Sequence, residues 1–156
     1  MPTESSTQSS TESDHNDELW RAYRDTIFEA DLPGGPLRIR VGEHHPALDE
    51  VLPSGGGHCW CFVTAWNPAS VPLGTAENNA RNAELAEALK SEGLAFYAGR
   101  GRDPQEKWPA EESFLVLDLA REAARTLGQR YGQNAVVWGE AGEPEELLDS
   151  RKGAEL

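Results

Sequence analysis

The sequence predicts an α+β fold, a two-layer sandwich on a ferredoxin-like split βαβ core with an N-terminal helix and a β-hairpin added. Two observations carry this. Between Cys59 and Trp138 the apolar pattern reads strand, helix, strand, strand, helix, strand, punctuated by glycines and an Asn-Pro turn. Upstream, two alternating runs flank Pro33-Gly34-Gly35-Pro36, the mark of a hairpin. At 156 residues the chain is long enough for one domain with its own core.

Residues 1–16 are serine, threonine, glutamate and glutamine with almost nothing apolar, and are expected as a disordered tail. Order is expected from Asp17, a good helix N-cap, with Leu19, Trp20 and Tyr23 on one face of a short helix. In the hairpin, Thr26 to Ala30 and Leu37 to Val41, the residues Leu37, Ile39 and Val41 should face inward. Residues 42–58 hold His44, His45, Pro46, Pro53 and Gly55-Gly56-Gly57 and read as a loop with at most a helical turn at 47–52. The triple glycine leads into a strand, and no Gly-Lys-Ser/Thr follows it. A phosphate-cradling loop requires the opposite order, so a linker is expected.

Cys59 to Trp66 reads as a buried strand, with Trp60 and Trp66 on one face as core residues, and Asn67-Pro68-Ala69-Ser70 as the turn after it. Thr75 can cap a helix reaching about Glu92, where Gly93 stops it. Leu94 to Ala98 forms a further strand, closed by Gly99-Arg100-Gly101-Arg102-Asp103-Pro104. A loop with Trp108, Pro109, Glu111 and Glu112 enters the strand Ser113 to Leu117. A helix from Leu119 to Tyr131, apolar at Leu119, Ala123 and Leu127, ends at Gly132, and Ala135 to Trp138 is the last strand. The chain thus divides into a tail at 1–16, a single α+β domain at 17–139 and an acidic tail at 140–156 with a short helix at Glu143 to Leu148.

A net charge of -13 and a pI near 4.6 exclude non-specific binding to nucleic-acid polymers or an anionic membrane, which need clustered positive charge. No apolar run approaches the roughly 20 residues of a membrane-spanning helix. The start of the chain has neither the basic nor the apolar region of a signal peptide. Cys59 and Cys61, the only cysteines, would share one face of a strand with Cβ atoms beyond the roughly 4 Å that a disulfide needs. These readings lead to the expectation of a cytoplasmic protein with reduced thiols.

The unusual stretch is the first half of the central helix. Positions 78, 82, 85 and 89 form one helical stripe and 81, 85 and 88 the next. Leu85 and Leu89 are core anchors, so Asn78, Arg81 and Asn82 on the same stripes should point at the sheet and need partners there. Asn67 and Ser70 arrive from the end of the preceding strand. In a ferredoxin-like order, Gln133 and Asn134 start the last strand beside them. These seven residues form the candidate ligand-binding patch, with Arg81 neutralising charge and the amides orienting the ligand. The structural alternative is a polar network pinning a turn to a helix end.

Glu77, Trp108 and Glu112 are secondary candidates. Glu111 and Glu112 are expected at the opposite end of the sheet from Asn67, together with Trp108, and in surface ion pairs with Arg100 or Arg102. Glu77 is explained by the helix dipole. His44, His45, His58, Cys59 and Cys61 supply zinc-ligand types, but the cysteine spacing does not suit a common zinc knuckle, so no metal and no cofactor is expected. No nucleophile elbow, Walker loop, metalloprotease helix or dinucleotide fingerprint is present.

Four short motifs occur in order: Thr64-Ala65-Trp66-Asn67-Pro68, Glu77-Asn78 with Arg81-Asn82, Trp108 with Glu111-Glu112-Ser113, and Gly132-Gln133-Asn134-Ala135. Together they resemble a small bacterial family known only as domain of unknown function 3293. The resemblance spans roughly Trp20 to Trp138, with Tyr23 and Thr26 also fitting. His44, His45, Cys59 and Cys61 lie outside the pattern. The resemblance implies no specific activity.

The expected function is therefore a polar pocket, at the junction of strand 59–66 and helix 75–92, for a small anionic or nucleotide-like ligand. The alternative is a non-catalytic regulatory or protein-interaction module. Whether the protein is an enzyme is left open.

Overall fold

A computed structural model of the chain describes residues 20–43, 46, 59–68 and 71–151. The strands are β1 (Ile27–Leu32), β2 (Gly35–Ile39), β3 (Cys59–Val63), β4 (Phe96–Arg102), β5 (Glu111–Leu117), β6 (Ala135–Glu140) and β7 (Glu146–Asp149). The helices are α1 (Thr75–Ser91), between β3 and β4, and α2 (Arg121–Arg130), between β5 and β6. Residues 20–25 are also helical. The strands form one sheet in the order β2-β1-β4-β5-β3-β6-β7, every pairing antiparallel. The fold is α+β.

Successive residues of a strand point to opposite faces, and here each face has its own core. Cys61, Val116 and Val136 pack with Leu85 and Leu89 of α1 and Ala124 and Leu127 of α2, so both helices cover one face. Their sequence neighbours Trp60, Leu115 and Val137 join Phe28, Ala30 and Ile39 on the other. In the hairpin, Ile39 is fully buried and Leu37 and Val41 pack beside it, as the alternation requires.

That second face is concave. β1 stands three strand spacings from β3, about 14 Å in a flat sheet. Yet the rings of Phe28 and Phe62 lie edge to face with centroids 5.2 Å apart. The sheet therefore curls towards this face, and glycines on β4 make room for the curl. A Cβ on Gly99 would stand 3.0 Å from Cζ of Phe62, and one on Gly101 3.5 Å from the Phe28 ring. At the other side Gly139 lets the Trp60 indole lie against the β6 backbone, where a Cβ would come within 2.6 Å of Nε1.

Several expectations are corrected. Gly99 to Arg102, read as a closing turn, continue β4, because their backbone pairs with β1 on one side and, at Gly99 to Gly101, with β5 on the other. Residues 146–149, read as helical, form β7 and complete the sheet beside β6. The N-cap of α1 is Gly74, in extended conformation and without a side-chain cap, and Thr75 is the first helical residue. Among the described residues no ion pair within 4.0 Å joins Arg100 or Arg102 to Glu111 or Glu112, although Arg100 faces Glu112 across the strands and the Glu112 charge adds to the rise of the Arg100 pKa. Their cross-strand neighbour Glu29 takes them instead: Nε of Arg102 lies 3.1 Å from it, and Nη2 of Arg100 lies 2.6 Å from Asp31. Burial raises the pKa of Glu29, but the hydrogen bonds and charges of Arg102 and Arg38 outweigh it and hold the carboxyl below its usual value.

Candidate functional site

The site forms where β3 and β5 part company. Val63 is the last residue of β3 in the ladder, opposite Phe114. Two residues further in the same register Ala65 would face Glu112, but the Asn82 side chain from α1 stands between them. Its Oδ1 accepts the Ala65 N–H at 2.9 Å, and its Nδ2 donates to the Glu112 carbonyl at 2.9 Å. One side-chain amide thus replaces a peptide rung, satisfying both backbone groups while holding the strands apart. The Thr64 hydroxyl adds a bond to the same Glu112 carbonyl at 2.6 Å.

Beyond this wedge Asn67 turns the chain in a left-handed conformation, φ 43°. Asparagine tolerates that conformation better than most residues. Asn78 locks it from both sides: its Oδ1 accepts the Asn67 N–H at 2.8 Å and its Nδ2 donates to Asn67 Oδ1 at 2.8 Å. Asn67 Oδ1 also accepts the Leu73 N–H at 2.9 Å. What remains of Asn67 is its Nδ2, which donates to Oε2 of Glu111 at 3.2 Å.

Arg81 is tied to the frame. Its Nε donates to the Ala65 carbonyl at 2.6 Å and its Nη2 to the Tyr131 carbonyl at 2.5 Å, joining the end of β3 to the C-terminus of α2. Gln133 acts similarly, with Nε2 donating to the carbonyls of Trp66 at 3.2 Å and Tyr131 at 3.3 Å. Since both partners are acceptors, the amide nitrogen must face them and Oε1 must face away.

The curled sheet and the parted strands enclose a cavity of about 520 Å³. Its apolar wall is Phe28, Phe62, Trp66, Trp108 and Val137, and Tyr23 and Thr26 reach it from the N-terminal segment. Asn67, Asn78, Glu111, Ser113 and Gln133 supply polar groups, and Gly101 leaves space in the β4 wall. No arginine or lysine lines it among the described residues. Burial pushes the Glu111 carboxyl above its ordinary value of 4.5, and the hydrogen bond from Asn67 offsets only part of that. Among the described residues Asn67 is the only partner of this carboxyl, and its Oε1 is unbonded. A carboxyl of this kind keeps its proton to higher pH than a solvated glutamate and meets a ligand's donors once ionised.

Residues 63–136 match the family model described as "Protein of unknown function (DUF3293)". Through this region the chain is similar to that family. No curated protein and no solved structure matches the chain. The region matched to DUF3293 contains Asn67, Asn78, Trp108, Glu111 and Gln133, whereas Tyr23, Thr26, Phe28 and Phe62 reach the cavity from outside it.

Of the candidate residues, Asn67, Asn78 and Gln133 line the cavity, as does Trp108. Arg81, Asn82 and Asn134 do not, and Ser70 lies outside the described residues. Glu77 and Glu112 are exposed and not part of the wall, Glu112 contributing only its backbone carbonyl to the wedge. Arg81, bound to two main-chain carbonyls, is not placed to neutralise a ligand in this cavity. The stripe Asn78, Asn82, Leu85 and Leu89 is buried throughout, as its helical spacing requires. Glu111 and Trp108, expected at the far end of the sheet, lie beside Asn67. The reason is simple: β5 runs antiparallel to β3, so the start of one meets the end of the other. Trp66, expected in the core, stands past the end of β3 in the cavity wall. The histidines His44, His45 and His58 lie outside the described residues; among the described residues no cluster could hold a metal ion, and no helix is long and apolar enough to cross a membrane.

Two outcomes follow. Asn82→Ala leaves the buried Ala65 N–H unpaired and should cost about 1–3 kcal/mol in urea unfolding; a loss below about 0.5 kcal/mol would show that the wedge is dispensable. For Glu111, a folded pKa above the unfolded one means that its stabilising effect is complete below about 4.5 and fades as pH rises through the folded value. Glu111→Gln should therefore gain stability relative to the wild type as pH rises from about 4.5, levelling off once pH has passed the folded value. A difference that is flat with pH would contradict the assignment.

Proposed function

We propose that the cavity at the parted end of the sheet binds a small organic molecule, with Glu111 as the polar group that meets it and Trp66 and Trp108 beside it. The observation that carries this reading is the Glu111 carboxyl, half-buried in a cavity of about 520 Å³, with no basic partner and one oxygen unbonded among the described residues. A carboxyl with a purely structural task would be expected to have its charge paired or its oxygens filled. The lining does not favour an anionic ligand, since Arg81 is occupied elsewhere. A nucleotide-like ligand would be read here through its base and not its phosphate. Glu111 would also serve as a general acid or base should the bound molecule be transformed.

The competing reading, a non-catalytic interaction module, draws on one observation: Arg81, Asn82 and the amide nitrogens of Asn78 and Gln133 all have protein partners. We take these groups as the frame of the cavity, not as its contents. We also read β3, α1, β4, β5, α2 and β6 as a ferredoxin-like split βαβ unit, supported by the order β4-β5-β3-β6 and its antiparallel pairings. A cytoplasmic location fits Cys59 and Cys61, neither of which is in a disulfide.

A thermal-shift screen of small neutral and charged organic compounds tests this. Compounds that stabilise the wild type should lose that effect in Gly101→Val, whose side chain fills the cavity beside Phe28 and Thr26. Arg81→Ala should lower the melting temperature but keep the ligand-induced shift. Undiminished shifts in Gly101→Val would place binding elsewhere.

A further inference from the structure

We infer that the cavity selects an organic cation of the amidinium or guanidinium class, a planar group with paired N–H donors, held by Glu111 and Gln133. The inference rests on the ligand-binding reading above and names the class of ligand.

The balance of hydrogen-bonding groups carries it. The amide donors of the lining are largely spent inside the protein: Asn78 Nδ2 on Asn67 and Leu73, Gln133 Nε2 on Trp66 and Tyr131. The hydroxyls of Thr26, Thr64 and Ser113 likewise donate to main-chain carbonyls. Among the described lining side chains, Oε1 of Glu111 and Oε1 of Gln133 are acceptors without a partner, beside the unengaged Thr75 hydroxyl and the indole N–H groups of Trp66 and Trp108. Two acceptor oxygens in the wall, one of them a carboxyl oxygen, suit a ligand that brings donors and positive charge.

Charge points the same way. The wall holds one carboxyl and no arginine or lysine among the described residues. Three arginines of the surrounding elements are engaged, Arg100 and Arg102 with Asp31 and Glu29, and Arg81 with main-chain carbonyls. Aromatic rings attract cations through their faces, and Tyr23, Trp66 and Trp108 are in the wall. A net charge of -13 raises the local concentration of cations around the molecule. Pairing with a cation also supplies the charge that Glu111 lacks, so a site that disfavours a bare carboxylate becomes favourable once filled.

Three probes of one shape separate the possibilities: benzamidine, benzamide and benzoate, positive, neutral and negative, titrated by calorimetry at equal ionic strength. Benzamidine should bind about tenfold or more tighter than benzamide, with benzoate weakest. Glu111→Gln should erase that preference, and Gly101→Val should abolish benzamidine binding. Benzamide or benzoate binding as tightly as benzamidine, in a manner that Gly101→Val blocks, overturns the cation while leaving the cavity reading intact. Binding unaffected by Gly101→Val overturns the cavity reading itself. No binding by any of the three overturns the cation inference, and the wild-type comparison stands even if Glu111→Gln fails to fold.

Discussion

A single side-chain amide decides the shape of the functional end of this protein. Asn82 stands where Ala65 and Glu112 would otherwise pair, accepting from one and donating to the other. Because both backbone groups are satisfied, the strands can separate at little cost, which is the usual obstacle to opening a sheet away from its edge. Everything beyond follows from that separation: Trp66 leaves the strand, Asn67 turns back, and Glu111 stands at the start of β5 with a cavity in front of it. The curl of the sheet, visible in the Phe28–Phe62 contact, closes the other side.

The polar residues divide into those that hold and those that present. Arg81, Asn78 and Asn82 give their hydrogen bonds to the chain, collecting carbonyls and N–H groups from the end of β3, from β5 and from the α2 terminus. Their burial is therefore compatible with a stable domain, since each would otherwise carry a desolvation cost. Glu111 is different. It has been taken from water without an opposite charge, and the one hydrogen bond from Asn67 does not restore what burial removes. Asn67 belongs to both groups, locked by Asn78 on one side and reaching Glu111 on the other.

Much of this was legible in the sequence. Helical spacing alone places Asn78 and Asn82 on the stripe of Leu85 and Leu89, and from that their contact with the sheet follows. The chain order of the elements from β3 to β6 also reads correctly from periodicity and glycine punctuation. What periodicity does not carry is direction across space. The same alternation suits parallel or antiparallel neighbours, so it does not say which strand ends meet, and nothing in it brings Glu111 and Trp108 to Asn67. Gly99 and Gly101 look like a turn in sequence because glycine favours turns, yet here they are needed for a close approach inside a curled strand. Segment 146–149, acidic at both ends, has little intrinsic strand character; its pairing with β6 overrides local preference. Which polar group is spent and which is free is a matter of three-dimensional bookkeeping that no linear pattern contains.

The central claim is that the parted strands hold a desolvated carboxyl before a cavity. Its most direct test is a pH titration of the Glu111 side-chain carboxyl carbon by NMR in the folded protein, assigned with Glu111→Gln. The expected midpoint lies clearly above 4.5, the ordinary value for a glutamate. A midpoint at or below that value would mean that the carboxyl is solvated or paired, and that no desolvated carboxyl stands before the cavity.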